Sequence, residues 1–323
     1  MKIGILTSGG DSPGMNCAIR AIVRAGIHYN HEIYGIYRGY AGMMAGEIAP
    51  LSLSDVGNII QRGGTILRSS RSKEFHTAEG RAKAAEQLKK FGIDALIAIG
   101  GDGTFNGAMA FHQEHKIPVV GIPGTIDNDI TGTDYTIGFE TAVENAVQAI
   151  DKIRDTALSH DRVFLVEVMG KNSAALAQRI AVCSGAEMAI LPNVPIPYHD
   201  ISTVIDRGLK RGKKSSIFIV AEGHTSGRGQ EVKEEILKRF NIDSHVCILG
   251  HIQRGGAPAT QDRFYATQMG LAAVEALATT KLGGPMAAVV RKSEVMMVLL
   301  KDCLQKNMQS SAEIAKSISI TSI

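Results

Sequence analysis

Short, almost wholly apolar runs alternate with longer amphipathic stretches along this chain, and few architectures accommodate that pattern. KIGILT (2–7), EIYGIY (32–37), ALIAIG (95–100), PVVGI (118–122), RVFLVEV (162–168), SIFIVA (216–221), HVCILG (245–250) and MAAVV (286–290) read as buried strands. Helical patterning falls between them, over 15–27, 79–91, 139–157, 230–240 and 260–279. Apolar strands separated by helices predict mostly parallel α/β sheets covered on both faces. A chain of 323 residues, 44% of them apolar, suffices for one large domain or two smaller ones. A boundary is expected near 138, where TIGF closes a loop and a long helix starts.

Several function classes are excluded early. A net charge of +3 leaves no broad nucleic-acid footprint. The four cysteines (17, 183, 247, 303) form no CxxC pair, which predicts a reduced, cytoplasmic protein. No apolar stretch is long enough to span a membrane, and MKIGILTSGG is too short for a secretory leader.

The unusual loops all fall at the carboxyl ends of predicted strands: SGGDSPG, GGDGT, PGTIDND, MGKN, EGH and GHIQRGG. Open α/β sheets bind ligands at that edge. TSGGDSPGMN (7–16) and IGGDGTFNG (99–107) each lead into a helix, where glycine lets backbone N–H groups approach phosphate. Neither is a Walker loop or a protein-kinase loop. A lone Gly-Gly turn is simply tight, but two beside an Asp-rich third favour a phosphate site. Asp102 would repel a bare triphosphate, a conflict that bridging Mg²⁺ resolves. Asp127 is the candidate base for a hydroxyl nucleophile, while Asp129 shares its loop or caps a turn. Arg71, Arg162, Lys171, His251 and Arg254 could supply cations for a transferred phosphoryl group, or stand in surface ion pairs. Glu222 ends a strand and could grip sugar hydroxyls or form an ion pair. A second cluster, Arg20, Arg24, Arg154 and RGKK (211–214), reads from spacing alone as a solvated face.

In order and spacing, TSGGDSPGMN, RGGT, GGDGT, PGTIDND, YTIGF, KIRDT, VEVMG and LGHIQRGG resemble the bacterial ATP-dependent 6-phosphofructokinase family over about residues 1–280. The tail from about 286 resembles it much less. The resemblance implies two similar doubly wound, mostly parallel, three-layer α/β domains with the active site between them. Residues 1–138 with about 254–305 would bind ATP, and 139–253 with the tail would bind the sugar phosphate. It also implies a homotetramer that transfers the ATP γ-phosphoryl group to the 1-hydroxyl of fructose 6-phosphate. Gly10, Arg71, Ser72, Gly101, Asp102, Gly103 and Thr104 would hold ATP, with Asp102 on Mg²⁺. Thr125, Ile126, Asp127 and Asp129 would form the base loop. The sugar phosphate would meet Met169, Gly170, Lys171, Glu222, His251, Ile252, Gln253 and Arg254, with Arg162 and His245 reaching in from a neighbouring subunit. The effector site, for ADP or phosphoenolpyruvate, would use Arg20, Arg24, Arg154, Gly185, Ala186, Glu187, Arg211, Lys213, Lys214 and Ser215. Pyrophosphate-using relatives carry Asp at the position of Gly103 and Lys at that of Gly124, so the two glycines imply ATP.

The departures gather around the sugar phosphate. Lys171 and His245 stand where the family has Arg, and Ser173, Ala174 and Ala175 replace a small residue, Gly and Asp. Lys keeps charge but loses the planar fork, and a neutral His offers one donor where Arg offered several. Asn58 and Ser215 replace an Asp and a His in the effector region. Two rival readings follow: a regulatory paralogue that binds nucleotide without catalysis, and an NAD- or lipid-kinase-like enzyme. The intact Asp102, Thr125 and Asp127 oppose the first. PGTIDND and GHIQRGG oppose the second.

Overall fold

The apolar runs do become strands. In chain order these are β1 (Lys2–Ser8), β2 (Glu32–Ile36), β3 (Ile48–Leu51), β4 (Ala95–Gly100), β5 (Val119–Pro123), β6 (Val163–Val168), β7 (Met188–Ile190), β8 (Ser216–Ala221), β9 (His245–Ile248), β10 (Met286–Arg291) and β11 (Glu294–Leu299). The helices are α1 (Met15–His28), α2 (Gly39–Ala45), α3 (Ala78–Phe91), α4 (Asp102–His115), α5 (Phe139–Ala157), α6 (Ala175–Ser184), α7 (Tyr198–Lys210), α8 (Arg228–Phe240), α9 (Thr260–Thr279) and α10 (Ala312–Thr321). This computed structural model describes residues 1–157, 162–213, 215–279, 283–304 and 312–321. The chain forms two units: Met1–Thr141 with Arg254–Asn307, and Ala142–Gln253 with Met308–Ile323.

The first unit holds a sheet in the order β11-β10-β5-β4-β1-β2-β3. The five strands from β10 to β2 are parallel, and an antiparallel strand closes each edge. Leu6, Leu96, Phe105, Phe111, Val119 and Val289 are buried in one core cluster. Side-chain size sets the fit elsewhere: a Cβ on Gly270 would lie 2.9 Å from Ala18 O and 2.9 Å from Ala21 Cβ, so glycine lets α9 pack close on α1. Thr77 begins α3 by accepting the Gly80 N–H at 3.0 Å, and Gly92 ends it at φ +69°.

The second unit holds the parallel sheet β7-β8-β6-β9. Leu165, Phe218 and Val220 meet Ile201 of α7 and Ile236 of α8 in its core. HVCILG reads as a buried strand, yet β9 is a half-buried edge strand with Ile248 50% exposed. Among the described residues it pairs with β6 on one side, and no strand covers the other. Among the described residues no helix is long and apolar enough to cross a membrane.

Candidate active site

In the first unit the chain leaves β1 toward β2 and returns to β4 on β1's other side. The loops after β1 and β4 therefore diverge, which opens a crevice at their carboxyl ends. Thr104 Oγ1 donates across it to Ser8 O at 3.1 Å, and Tyr40 OH donates to Thr104 O at 2.6 Å. Both Thr104 and Tyr40 are buried, which stiffens the GGDGT loop from below. Asp102 is the first residue of α4 and is exposed. A helix start leaves backbone N–H groups without intrahelical partners and favours anions. A Cβ on Gly103 would meet nothing within 4 Å, so open space lies in front of that turn.

Two further segments cover the crevice. Ser69 Oγ donates to Gly9 O at 2.9 Å, which brings the irregular stretch that carries Arg71 and Ser72 over the β1 loop. Ser72 Oγ accepts the Phe75 N–H at 3.2 Å, Phe75 stacks on Tyr40 at 3.9 Å, and Arg71 is exposed. Arg254 Nη1 donates to Asp11 O at 2.7 Å and lies where a Cβ on Gly10 would be, 2.7 Å away. The structure thus brings Arg254 to the Gly10 loop within the first unit.

PGTIDND leaves β5 next to the GGDGT loop, since β5 and β4 are neighbours. A Cβ on Gly101 would sit 3.6 Å from Thr125 Cβ. Asp127 is 2% exposed and its N–H donates to Thr125 Oγ1 at 3.2 Å, while Thr136 Oγ1 donates to Thr125 O at 2.6 Å. Ile126 is buried beneath the loop and Asp129 is exposed. Among the described residues no group of three His, Cys, Asp or Glu side chains could cage a metal. The donor set here is one exposed carboxylate beside a helix start, which is what Mg²⁺ uses when phosphate oxygens complete its shell.

In the second unit three loops converge on the carboxyl end of β6. Glu222 N–H donates to Val168 O at 2.9 Å, Leu249 N–H to Glu167 O at 3.0 Å, and Met169 N–H to Gln253 Oε1 at 2.9 Å. Gly170 has φ +133° and Lys171 φ +47°, and Lys171, His251 and Ile252 are exposed. Gln253 is fully buried, and its side-chain carbonyl accepts the Met169 N–H from beneath the loop. Arg162 and His245 lie at the opposite, amino-terminal edge of this sheet, where His245 is in register with Phe164 and its ring lies 5.5 Å from that residue's. A six-residue strand separates the two edges by roughly 17–20 Å.

The described second-unit residues of the second basic cluster also lie at the amino-terminal edge. Glu187 and Ser215 directly precede β7 and β8, and buried Glu187 pairs with Lys213 and accepts the Ile217 N–H at 2.5 Å. Arg154 Nη2 donates to Ser184 O at 2.5 Å, beside Gly185 (φ +60°) and buried Ala186. Arg211 is exposed, and Lys214 lies outside the described residues. Arg20 and Arg24 belong to the first unit, four residues apart on α1.

Three buried polar residues escaped the sequence pattern. Tyr40 is hidden in a glycine-rich stretch. Glu167 was visible as a lone carboxylate inside an apolar run. Asp262 accepts from Tyr135 OH at 2.6 Å, Gly138 N–H at 2.5 Å, Thr141 N–H at 2.8 Å and Thr141 Oγ1 at 2.5 Å. Burial pushes its carboxyl above the usual carboxylate range, while the donors on Thr141, Tyr135 and Gly138 act against that.

The family model described as "Phosphofructokinase" matches residues 2–277. An ATP-dependent 6-phosphofructokinase of Thermus thermophilus is 51% identical over 94% of each chain, and that of Bacillus subtilis is 51% identical over 87% of this chain and 88% of its own. A phosphofructokinase structure from Saccharomyces cerevisiae superimposes with a TM-score of 0.87 at 33% identity, covering 99% of this chain, which spans about half (47%) of that one. A pyrophosphate-dependent phosphofructokinase from Marinobacter aquaeolei shares the fold, at 18% identity and a TM-score of 0.82. With the glycine loops, the PGTIDND loop and the two α/β sheets all in place, this chain belongs to the phosphofructokinase family.

Proposed function

We propose that this protein transfers the γ-phosphoryl group of ATP to the 1-hydroxyl of fructose 6-phosphate, a glycolytic step, with the donor bound by the first unit and the sugar phosphate by the second. The observation that carries the reading is Asp127: a buried carboxylate, 2% exposed, held on the loop beside GGDGT in a chain half identical to enzymes named ATP-dependent 6-phosphofructokinase. Asp127 takes the proton of the 1-hydroxyl as its oxygen bonds to phosphorus, a role worth about 10²–10⁴ in rate. Gly10, Ser72, Gly101, Gly103 and Thr104 hold the donor phosphates, and Arg71 and Lys171 balance charge as it develops. Asp102 would hold Mg²⁺, which when bound neutralises the donor phosphates. The open space at Gly103 accommodates the rest of ATP, where Asp would repel it.

Met169, Gly170, Glu222, His251 and Arg254 bind the sugar phosphate. Arg162 and His245, at the far edge of their own sheet, serve a neighbouring subunit in a homotetramer. Arg20, Arg24, Arg154, Gly185–Glu187, Arg211, Lys213 and Ser215 form an effector site for ADP or phosphoenolpyruvate. A phosphate there must compete with Glu187 for Lys213.

The test is steady-state ADP production with Mg·ATP and a panel of sugar phosphates, wild type against Asp127→Asn. Turnover on fructose 6-phosphate that falls by about 10²–10⁴ in the variant is expected. ATP binding without turnover on any sugar phosphate would overturn the reading and leave a regulatory subunit.

A further inference from the structure

The run RVFLVEV buries one carboxylate, and the proposed reaction gives it no task. Glu167 is 1% exposed. Its Oε1 accepts from Ser226 Oγ at 2.7 Å and from Gly227 N–H at 2.8 Å, and its Oε2 accepts from Gly229 N–H at 2.7 Å. These donors begin α8, whose own N-cap residue, Gly227, has no side chain to offer. A neighbouring strand therefore supplies the negative cap that a helix start favours. A buried carboxylate is costly unless its oxygens are bonded, and here both are.

What hangs from this junction gives it meaning. The segment ahead of α8 carries Glu222 and, with Asn193 and Glu231, lines a cleft of about 460 Å³. Glu167 fixes the far end of that segment through its side chain, and Val168 O fixes the near end through the Glu222 N–H. The main-chain O of Glu167 also holds Leu249, at the entry to the GHIQRGG loop. We infer that Glu167 is a positioning residue for the phosphoryl acceptor: it clamps the 222–229 segment against β6 and so sets where the Glu222 carboxylate meets a sugar hydroxyl. The clamp stands on these hydrogen bonds alone, whereas its consequence for the sugar rests on the proposed function.

Glu167→Gln keeps the size but turns one accepting oxygen into a donor facing a donor. Amide hydrogen exchange at Gly227 and Gly229 should speed up by about tenfold or more. In the same protein KM for fructose 6-phosphate should rise by about tenfold, while KM for ATP stays within about twofold. Ser226→Ala removes one donor and leaves nothing mismatched. It should shift the same two readouts less, and it carries the test if Glu167→Gln does not fold. Unchanged exchange in a folded variant overturns the clamp. Faster exchange with both KM values unchanged, or with both raised together, overturns the positioning role. A wild type inactive on every sugar phosphate overturns the proposed function and the positioning role with it, while the exchange rates still decide the clamp.

Discussion

Asp127 and Asp102 sit on adjacent loops in opposite surroundings, one buried and one exposed. In the proposed reaction that difference fits their roles: a proton acceptor gains from shelter, whereas a carboxylate that meets a metal–phosphate complex must face the donor. Gly103 separates donor chemistry from folding in the same way. No atom lies within 4 Å of a Cβ placed there, so Gly103→Asp should unfold at a denaturant midpoint close to wild type, within about 0.5 kcal/mol, yet raise KM for ATP by tenfold or more. Gly124 is different: a Cβ there would lie 3.0 Å from Ile99 Cγ2 and 3.2 Å from Met15 Cε, so packing itself favours glycine at that position. On the acceptor side, Lys171→Arg with His245→Arg restores two forked donors. The pair should lower KM for fructose 6-phosphate by about ten- to a hundredfold, the value of 1.5–3 kcal/mol of charge-assisted hydrogen bonding.

At the scale of elements, Asp262 in the first turn of α9 ties down the segment that opens α5, because its four donors lie on Tyr135, Gly138 and Thr141. Asp262→Asn sets an amide among donors and should cost about 2–4 kcal/mol in urea unfolding, with the loss in midpoint and not in slope. Strands and helices with clean periodicity were legible from sequence, and so were the loops that end them. Others were not, for physical reasons. α2 is seven residues long with two glycines. β7 is three residues long, and β3 and β11 are edge strands with mixed burial, so none presents a long apolar run. The base loop and both glycine loops could be read directly because their chemistry is local. The tasks of Glu167, Gln253 and Asp262 could not, since each is defined by partners 59 to 127 residues away.

For the whole molecule, the four thiols report on packing. Burial pushes Cys17 and Cys303 up to about 11 from 9.0, whereas Cys183 is exposed. Cys183 should react first with a neutral-pH thiol reagent, and Cys17 and Cys303 only on unfolding. Because both folded values lie above the unfolded one, stability is unaffected below pH 9.0 and falls as pH rises toward about 11, readable as a declining Tm. The discontinuity of the first unit carries a consequence for biogenesis. Its strand β5 must wait for β10, which the ribosome delivers only after the whole of Ala142–Gln253 has been made. At about 5–20 residues per second that is a delay on the order of 10 s, during which an apolar parallel edge stands open to chaperones or to another nascent chain. The second unit meanwhile has all four strands of its sheet in hand and lacks only Met308–Ile323, so in translation the sheet in the middle of this chain is complete before the one at its beginning.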